Sequence, residues 1–311
     1  MDGNLDNKIM GGLFGALVGD ACGCPYEFRP PHKIPSFDKI DMVPPEGYDR
    51  AWKEVPVGTY TDDGAQVLIL SSVLFSGSEL LQSLRIKLLA WYHGGYMSVD
   101  NITFDVGGQT RRALVMCDSI DQVAERLSEE RFGGNGSLMR CIPASLYSST
   151  LEQAVRIGGQ QSYATHPNNI CVATCALYAG IGHLMIYQPL LNEKEIIDWS
   201  ATMVRKVYPN LVDALDYILK WETTNEISGS GYVVDSFWSA LWALRTGTTY
   251  SEVIKHAISL GNDTDTTACI AGGLAGIAYG FSGIPSEWIS LLRGREIITP
   301  IVLYYRAVLQ I

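Results

Sequence analysis

Charge is scarce in this chain. Only 18% of its 311 residues are Asp, Glu, Lys or Arg, against 47% hydrophobic. So little charge excludes a largely disordered chain and implies a large interior. Positive charge is the scarcer sign, with 23 Lys and Arg against 33 Asp and Glu, a net −10. That balance argues against extended nucleic-acid binding. No window holds 18 uninterrupted apolar residues, so no membrane span is expected. The opening Met1-Asp2-Gly3-Asn4-Leu5-Asp6 is acidic and polar, unlike a secretory signal. The seven Cys lack zinc-finger spacing, and Cys22-x-Cys24 is too tight for a zinc knuckle. They are expected to pack as small apolar groups in a reducing cytoplasm, without disulfides.

Sustained period-two alternation is missing, which excludes a substantial sheet. What is present is helical periodicity nearly throughout. It predicts helices over Met10–Val18, Ala65–Phe75, Glu79–Tyr92, Ser119–Ser128, Ser137–Tyr147, Leu151–Tyr163, Asn169–Tyr187 and Glu193–Val207. Further ones are expected over Leu211–Trp221, Val233–Arg245, Tyr250–Leu260, Thr266–Tyr279, Glu287–Leu292 and Glu296–Leu309. Gly11, Gly12, Gly15 and Gly19 interleave the first and permit close helix packing. Pro25–Thr59 is irregular and holds over half of the thirteen prolines, as a lid or a wall of a site would. No Ser/Gly-rich linker divides the chain. The reading is one compact all-α domain over residues 1–311, monomeric.

Two acidic motifs about 200 residues apart carry the chemistry: Thr61-Asp62-Asp63-Gly64 and Gly261-Asn262-Asp263-Thr264-Asp265-Thr266-Thr267. Each precedes an apolar helical pattern. One such motif alone reads as a helix cap, because Asp and Thr are favoured there. A cap needs one oxygen, however, and each motif supplies three or four at the edge of a core. Uncompensated carboxylates in that position are costly or stay protonated. Carboxylates and hydroxyls without His or Cys form a hard-oxygen set, suited to Mg²⁺, Mn²⁺ or Ca²⁺. Residues i and i+2 of a helix point about 200° apart. Asp263 and Asp265 therefore converge only if Asp263 is in the loop and Asp265 in the first turn. Two divalent cations roughly 4 Å apart would neutralise the four carboxylates and hold a diol and a water.

Gly133-Gly134-Asn135-Gly136-Ser137 reads as a Gly-rich turn into a helix N-terminus, a place where backbone N–H groups bind anions. Asp105-Val106-Gly107-Gly108-Gln109-Thr110 is a second of this kind and adds a carboxylate. Thr165-His166-Pro167-Asn168 sits at a helix boundary, and Glu27 follows the Gly-rich first helix. Singly, each is compatible with an ordinary structural role.

In their order along the chain, these motifs resemble the ADP-ribosylglycohydrolase family. The series runs Gly19-Asp20, Tyr26-Glu27, Thr61-Asp62-Asp63, Asp105-Val106-Gly107-Gly108-x-Thr110-Arg111 and Gly134-Asn135-Gly136-Ser137-Leu138-Met139-Arg140. It continues through Thr165-His166-Pro167 and Gly231-Tyr232-Val233 to Gly261–Thr266. Gly-Gly-Gln stands where the usual motif reads Gly-Asn-x. The resemblance implies an all-α fold, an orthogonal bundle of many helices, with two Mg²⁺ or Mn²⁺ ions. It implies Thr61, Asp62, Asp63, Asp263, Asp265 and Thr266 as metal ligands. Glu27 would ligate metal or gate the substrate. Gly107 and Gly108 would contact phosphate, and Asn135, Gly136, Ser137 and His166 would surround ADP-ribose. Asp105 matches an acid of the arginine-specific branch.

The implied reaction is hydrolysis at C1″ of the distal ribose of an ADP-ribosylated protein side chain, arginine first. Asp62 or Asp63 would take the water's proton, with Asp105 as the alternative, and the transition state would be oxocarbenium-like. Serine-, nucleobase- and acetyl-linked ADP-ribose are other substrates. A non-catalytic ADP-ribose-binding or immunity protein is a second reading. An isoprenoid synthase also carries two Asp-rich motifs, but Gln66 stands where its first motif needs Asp.

Overall fold

A computed structural model describes residues 3–129 and 131–309. Fifteen α-helices and no strands occur among the described residues. In chain order they are α1 Gly3–Gly23, α2 Asp62–Leu74, α3 Leu80–Gly94, α4 Gly108–Val115, α5 Ile120–Leu127, α6 Ile142–Tyr147, α7 Leu151–Ser162 and α8 Asn169–Tyr187. They continue as α9 Glu193–Val207, α10 Val212–Thr224, α11 Val233–Thr246, α12 Tyr250–Ser259, α13 Thr264–Tyr279, α14 Ser286–Leu291 and α15 Arg295–Leu309. The expected all-α fold is therefore the one observed.

The most extensive helix pair is α1 against α13. Its cause is legible in the glycine spacing. Gly11, Gly15, Gly19 and Gly23 recur every four residues and so form one row along α1. Gly272 and Gly276 form the matching row on α13. The backbones touch. A Cβ on Gly276 would lie 1.9 Å from the Gly11 carbonyl oxygen, and one on Gly11 would lie 2.0 Å from that of Gly276. The contact brings the end of α1, and the Glu27 loop beyond it, beside the start of α13.

Around this pair one large core closes, built from α2, α6, α8, α11 and α12 among others. A satellite cluster of Ala113, Cys117, Val123, Leu127 and Phe132 lies under α4 and α5. Arg85 of α3 ties it down by donating to the Ala113 and Cys117 carbonyls. The α8 helix is long and apolar enough to cross a membrane, but 83% of its apolar window is buried inside this fold. Tyr178 on it donates to the Ile270 carbonyl of α13. All seven cysteines are buried and unpaired.

One predicted helix is much shorter than expected. Over Ser137–Tyr147 only Ile142–Tyr147 is helical. Pro143 explains the late start: inside a longer helix it could not donate to Met139, and its ring would clash there. In the first turn it costs nothing. Residues 135–141 instead form tight turns, with Leu138 and Met139 N–H groups donating to the Asn135 carbonyl.

The α1–α13 contact generates a stability test. Gly276→Ala forces the backbones apart and is expected to cost about 1–3 kcal/mol, the usual range for overpacking. Gly94→Ala, where nothing lies within 4 Å, is expected to leave stability unchanged or slightly raised. Thermal and urea unfolding followed by circular dichroism read both variants. Equal midpoints for the two would contradict the packing account.

Candidate metal centre

The site begins with a capping arrangement that spans two helices. Thr61 is the N-cap of α2, and its Oγ1 accepts from the Asp63 N–H at 3.3 Å. The remaining first-turn donors are met from α1. Asp20, fully buried, accepts from the Thr61 N–H at 2.9 Å and the Gly64 N–H at 2.7 Å. With the backbone served by Asp20, neither Asp62 nor Asp63 is needed as a cap, and Asp62 Oδ2 accepts from Gln66 Nε2 at 3.3 Å. A Cβ on Gly64 would meet Asp20 Oδ2 at 2.9 Å, so the close approach requires glycine.

The second motif is built differently. Gly261 and Asn262 take left-handed backbone, with φ +67° and +60°. The loop is sewn to its surroundings: Phe28 N–H donates to the Asn262 carbonyl and Asn262 N–H to the Arg29 carbonyl, each at 2.7 Å. Asp263 N–H donates to the Gly229 carbonyl at 3.0 Å. Asp263 then forms the N-cap of α13 and Asp265 lies in its first turn. That is the one arrangement in which the two can converge.

The motifs meet. Thr266 Oγ1 lies 3.5 Å from Asp63 Oδ1, across 203 residues of chain. Oxygens of Glu27, Asp105 and Asp265 lie within 4.8 Å of one another. Asp263 Oδ2 accepts from Asn135 Nδ2 at 2.7 Å, and Glu27 Oε2 from Trp52 Nε1 at 2.6 Å. These groups sit at a cavity of about 810 Å³ lined by Glu27, Asp62, Asp63, Asp105, Asp263 and Thr266. The same cavity is lined by Gly107, Gly108, Asn135, Gly136 and His166. Of the residues singled out in the sequence, three are not on its wall. Thr61 lies behind it as the α2 cap, Asp265 lies behind the wall beside Asp105, and Ser137 is in the core. Ser137 is fully buried, and its hydroxyl accepts from Ser162 at 2.8 Å.

Among the described residues, no Lys or Arg forms an ion pair with these acids. Burial first, and neighbouring carboxylates second, push Asp62, Asp63 and Asp265 well above the usual carboxylate range. Burial and Asp105 push Glu27 up to about 10. Burial raises Asp20 to about 7 against its two backbone hydrogen bonds. Asp63 Oδ2 and Asp265 Oδ1 are buried with no hydrogen-bond partner. Orphaned carboxylate oxygens in a repelling cluster are the fit expected of a divalent-cation site, because a bound cation reverses the local pKa logic.

Behind the opposite wall lies Arg140, fully buried and paired with no carboxylate. Its guanidinium donates to Gln161 Oε1, Gln66 Oε1 and the Gly136 carbonyl at 2.8–2.9 Å. It also donates to Thr165 Oγ1 at 2.8 Å. The Thr165 hydroxyl is 2.7 Å from His166 Nδ1. This contact and the Arg140 bond behind it hold the ring in one orientation. Burial and the Arg140 charge hold His166 well below its usual pKa, hence neutral. The ring is thus a fixed, neutral polar group at the cavity. Thr110 Oγ1, buried beside Gly136, has no partner.

Asp20, Thr110 and Asp235 were given no role in the sequence. Asp235 is buried and accepts from the N–H and hydroxyl groups of Ser228 and Ser230, at 2.6–2.9 Å. It thereby holds the loop that receives the Asp263 N–H. A lone acid closing a glycine-interleaved apolar helix is the signal that could have found Asp20.

The chain is similar to known enzymes along nearly its whole length. The ADP-ribosylarginine hydrolase Tri1 of Serratia proteamaculans is 30% identical over 305 residues, covering 97% of this chain and 80% of that protein. The ADP-ribosyl-(dinitrogen reductase) glycohydrolase of Rhodospirillum rubrum is 26% identical, covering 93% and 91%. A solved structure described as an ADP-ribosylglycohydrolase-related protein complex superposes with TM-score 0.76 at 25% identity, over 98% of this chain and 99% of that one. The ADP-ribosylglycohydrolase family description matches residues 1–309, and with that span the chain belongs to the ADP-ribosylglycohydrolase family of enzymes.

Proposed function

We propose that this enzyme hydrolyses the bond between ADP-ribose and an arginine side chain, with two divalent cations, Mg²⁺ or Mn²⁺, in the acidic centre. The observation that carries the proposal is the pair of buried, unpartnered oxygens, Asp63 Oδ2 and Asp265 Oδ1, in a cluster open to a cavity large enough for a nucleotide sugar. The choice of arginine rests on the Tri1 relatives of Serratia and Pseudomonas, named as ADP-ribosylarginine hydrolases, and on Asp105.

Thr61, Asp62, Asp63, Asp263, Asp265 and Thr266 would hold the cations, with Glu27 and Asp105 next to them. When bound, such ions supply Lewis acidity, neutralise the carboxylates and orient hydroxyl ligands. The chain's own residues do the rest. The N–H groups at the start of α4, at Gly108, Gln109 and Thr110, are free of intrahelical partners and face the pyrophosphate. The Thr110 hydroxyl and the neutral His166 ring add two fixed polar groups. This supplies anion binding in a chain of charge −10 without a basic patch. A carboxylate oxygen of Asp62 or Asp63 accepts the proton of the water that attacks C1″ as the bond to nitrogen breaks. Remaining carboxylates favour the positive charge that develops on the ribose.

EDTA treatment is expected to abolish release of ADP-ribose from ADP-ribosylated arginine, and Mg²⁺ or Mn²⁺ to restore it. Serine- and DNA-linked ADP-ribose, assayed alongside, are expected to turn over more slowly; the reverse order would overturn the arginine assignment. Asp62→Ala and Asp265→Ala are each expected to remove hydrolysis while keeping the helical circular dichroism, and full activity in either would remove the metal mechanism. Saturating Mn²⁺ is expected to raise the unfolding free energy of the metal-free enzyme by about 2.7 kcal/mol for each cation bound at a hundredfold excess over its Kd. In Asp265→Ala that stabilisation should shrink.

A further inference from the structure

The mouth of the cavity carries aromatic rings that the metal chemistry does not use. Glu27 is followed by Phe28, and Asp105 is preceded by Phe104. These two acid–aromatic pairs, remote in sequence, meet over one indole. The Phe28 and Trp52 ring centroids are 6.0 Å apart, and those of Trp52 and Phe104 are 5.4 Å apart. The Trp52 Nε1–H donates to Glu27 Oε2 at 2.6 Å, which fixes the indole relative to the carboxylate. Phe28, Glu27 and Asp105 all line the cavity.

Two features show that this is not ordinary packing. Phe28 exposes 62% of its surface, so its ring contributes little to the core. Phe28, Trp52 and Asp105 also adopt left-handed backbone, with φ of +60°, +50° and +55°. Such conformations are uncommon for bulky side chains, and their clustering marks functional sites. Paired backbone hydrogen bonds to Asn262 hold the Phe28 segment in place. Asn262 directly precedes Asp263, so the exposed ring is tied to the acidic loop.

A planar cation suits this surface. A guanidinium stacks its face on an aromatic ring and directs its edge N–H groups to carboxylates. A neutral serine ether or an ester offers neither interaction. We infer that Phe28, backed by Trp52 and Phe104, is the specificity surface for the arginine side chain that leaves ADP-ribose, with Asp105 as its carboxylate partner. The inference rests on the arginine reading above and adds the residues that make the choice. Phe28 is a positioning and recognition residue; it moves no proton.

The test separates the two. Wild-type enzyme is first assayed on ADP-ribosylarginine; no turnover there fails the arginine reading, and this inference with it. Given turnover, Phe28→Leu is expected to raise KM for ADP-ribosylarginine about two- to fivefold, the range of an exposed cation–π contact. Its kcat and its calorimetric Kd for free ADP-ribose, which has no guanidinium, should stay at the wild-type values. Phe28→Trp should restore the wild-type KM or improve on it. The inference is overturned if Phe28→Leu leaves KM unchanged, or if ADP-ribose affinity falls by the same factor as the arginine substrate. The exposure of the ring makes a folding defect easy to detect by the melting temperature, and a variant that melts as wild type with unchanged KM sinks the idea.

Discussion

A carboxylate buried among other carboxylates must find a counter-charge, find donors, or give up its ionisation. This fold resolves the problem differently for each acid. Asp20 and Asp235 are given donors: backbone N–H groups in the first case, serine hydroxyls and N–H groups in the second. Both therefore serve as struts. Asp63 and Asp265 are left with an oxygen each that nothing satisfies. The difference between a strut and a candidate ligand is thus visible in their hydrogen bonds, and Asp63 and Asp265 each keep an oxygen that no described residue satisfies.

Everything that places those acids depends on the glycine seam between α1 and α13. It allows the end of α1 to deliver Asp20 to the start of α2, and it sets the Glu27 loop against the Asn262 turn. Helix N-termini then point their unsatisfied donors and positive dipole ends toward one cavity. A neutral His166 and the start of α4 provide the anion-binding side, and Arg140 keeps its charge buried behind that wall. The proposed substrate, with a diol at one end and a pyrophosphate at the other, would place one end on each side.

Much of this was legible in the chain itself. Helix positions follow from apolar periodicity, and both acidic motifs could be placed at helix starts because caps are local. The same local geometry required Asp263 outside α13 and Asp265 inside it. What escaped was tertiary. Nothing in the spacing of Asp20 says that it caps a helix some 40 residues further on. Nothing near Trp52 says that its indole bridges Phe28 and Phe104. Ser137 looked like part of a binding turn because it follows Gly136, yet it faces Ser162 in the core. The Gly-rich turn does not lead directly into a long helix, because Pro143 delays the start. The family resemblance rests on the order of the motifs, which no single motif could carry.

The most direct measurement of the central claim is anomalous diffraction from crystals of the enzyme grown with Mn²⁺. The account predicts two manganese peaks between the start of α2 and the start of α13, within bonding distance of oxygens from Asp62, Asp63, Asp263 and Asp265. An acidic cluster without a manganese peak, or peaks only elsewhere on the molecule, would contradict it.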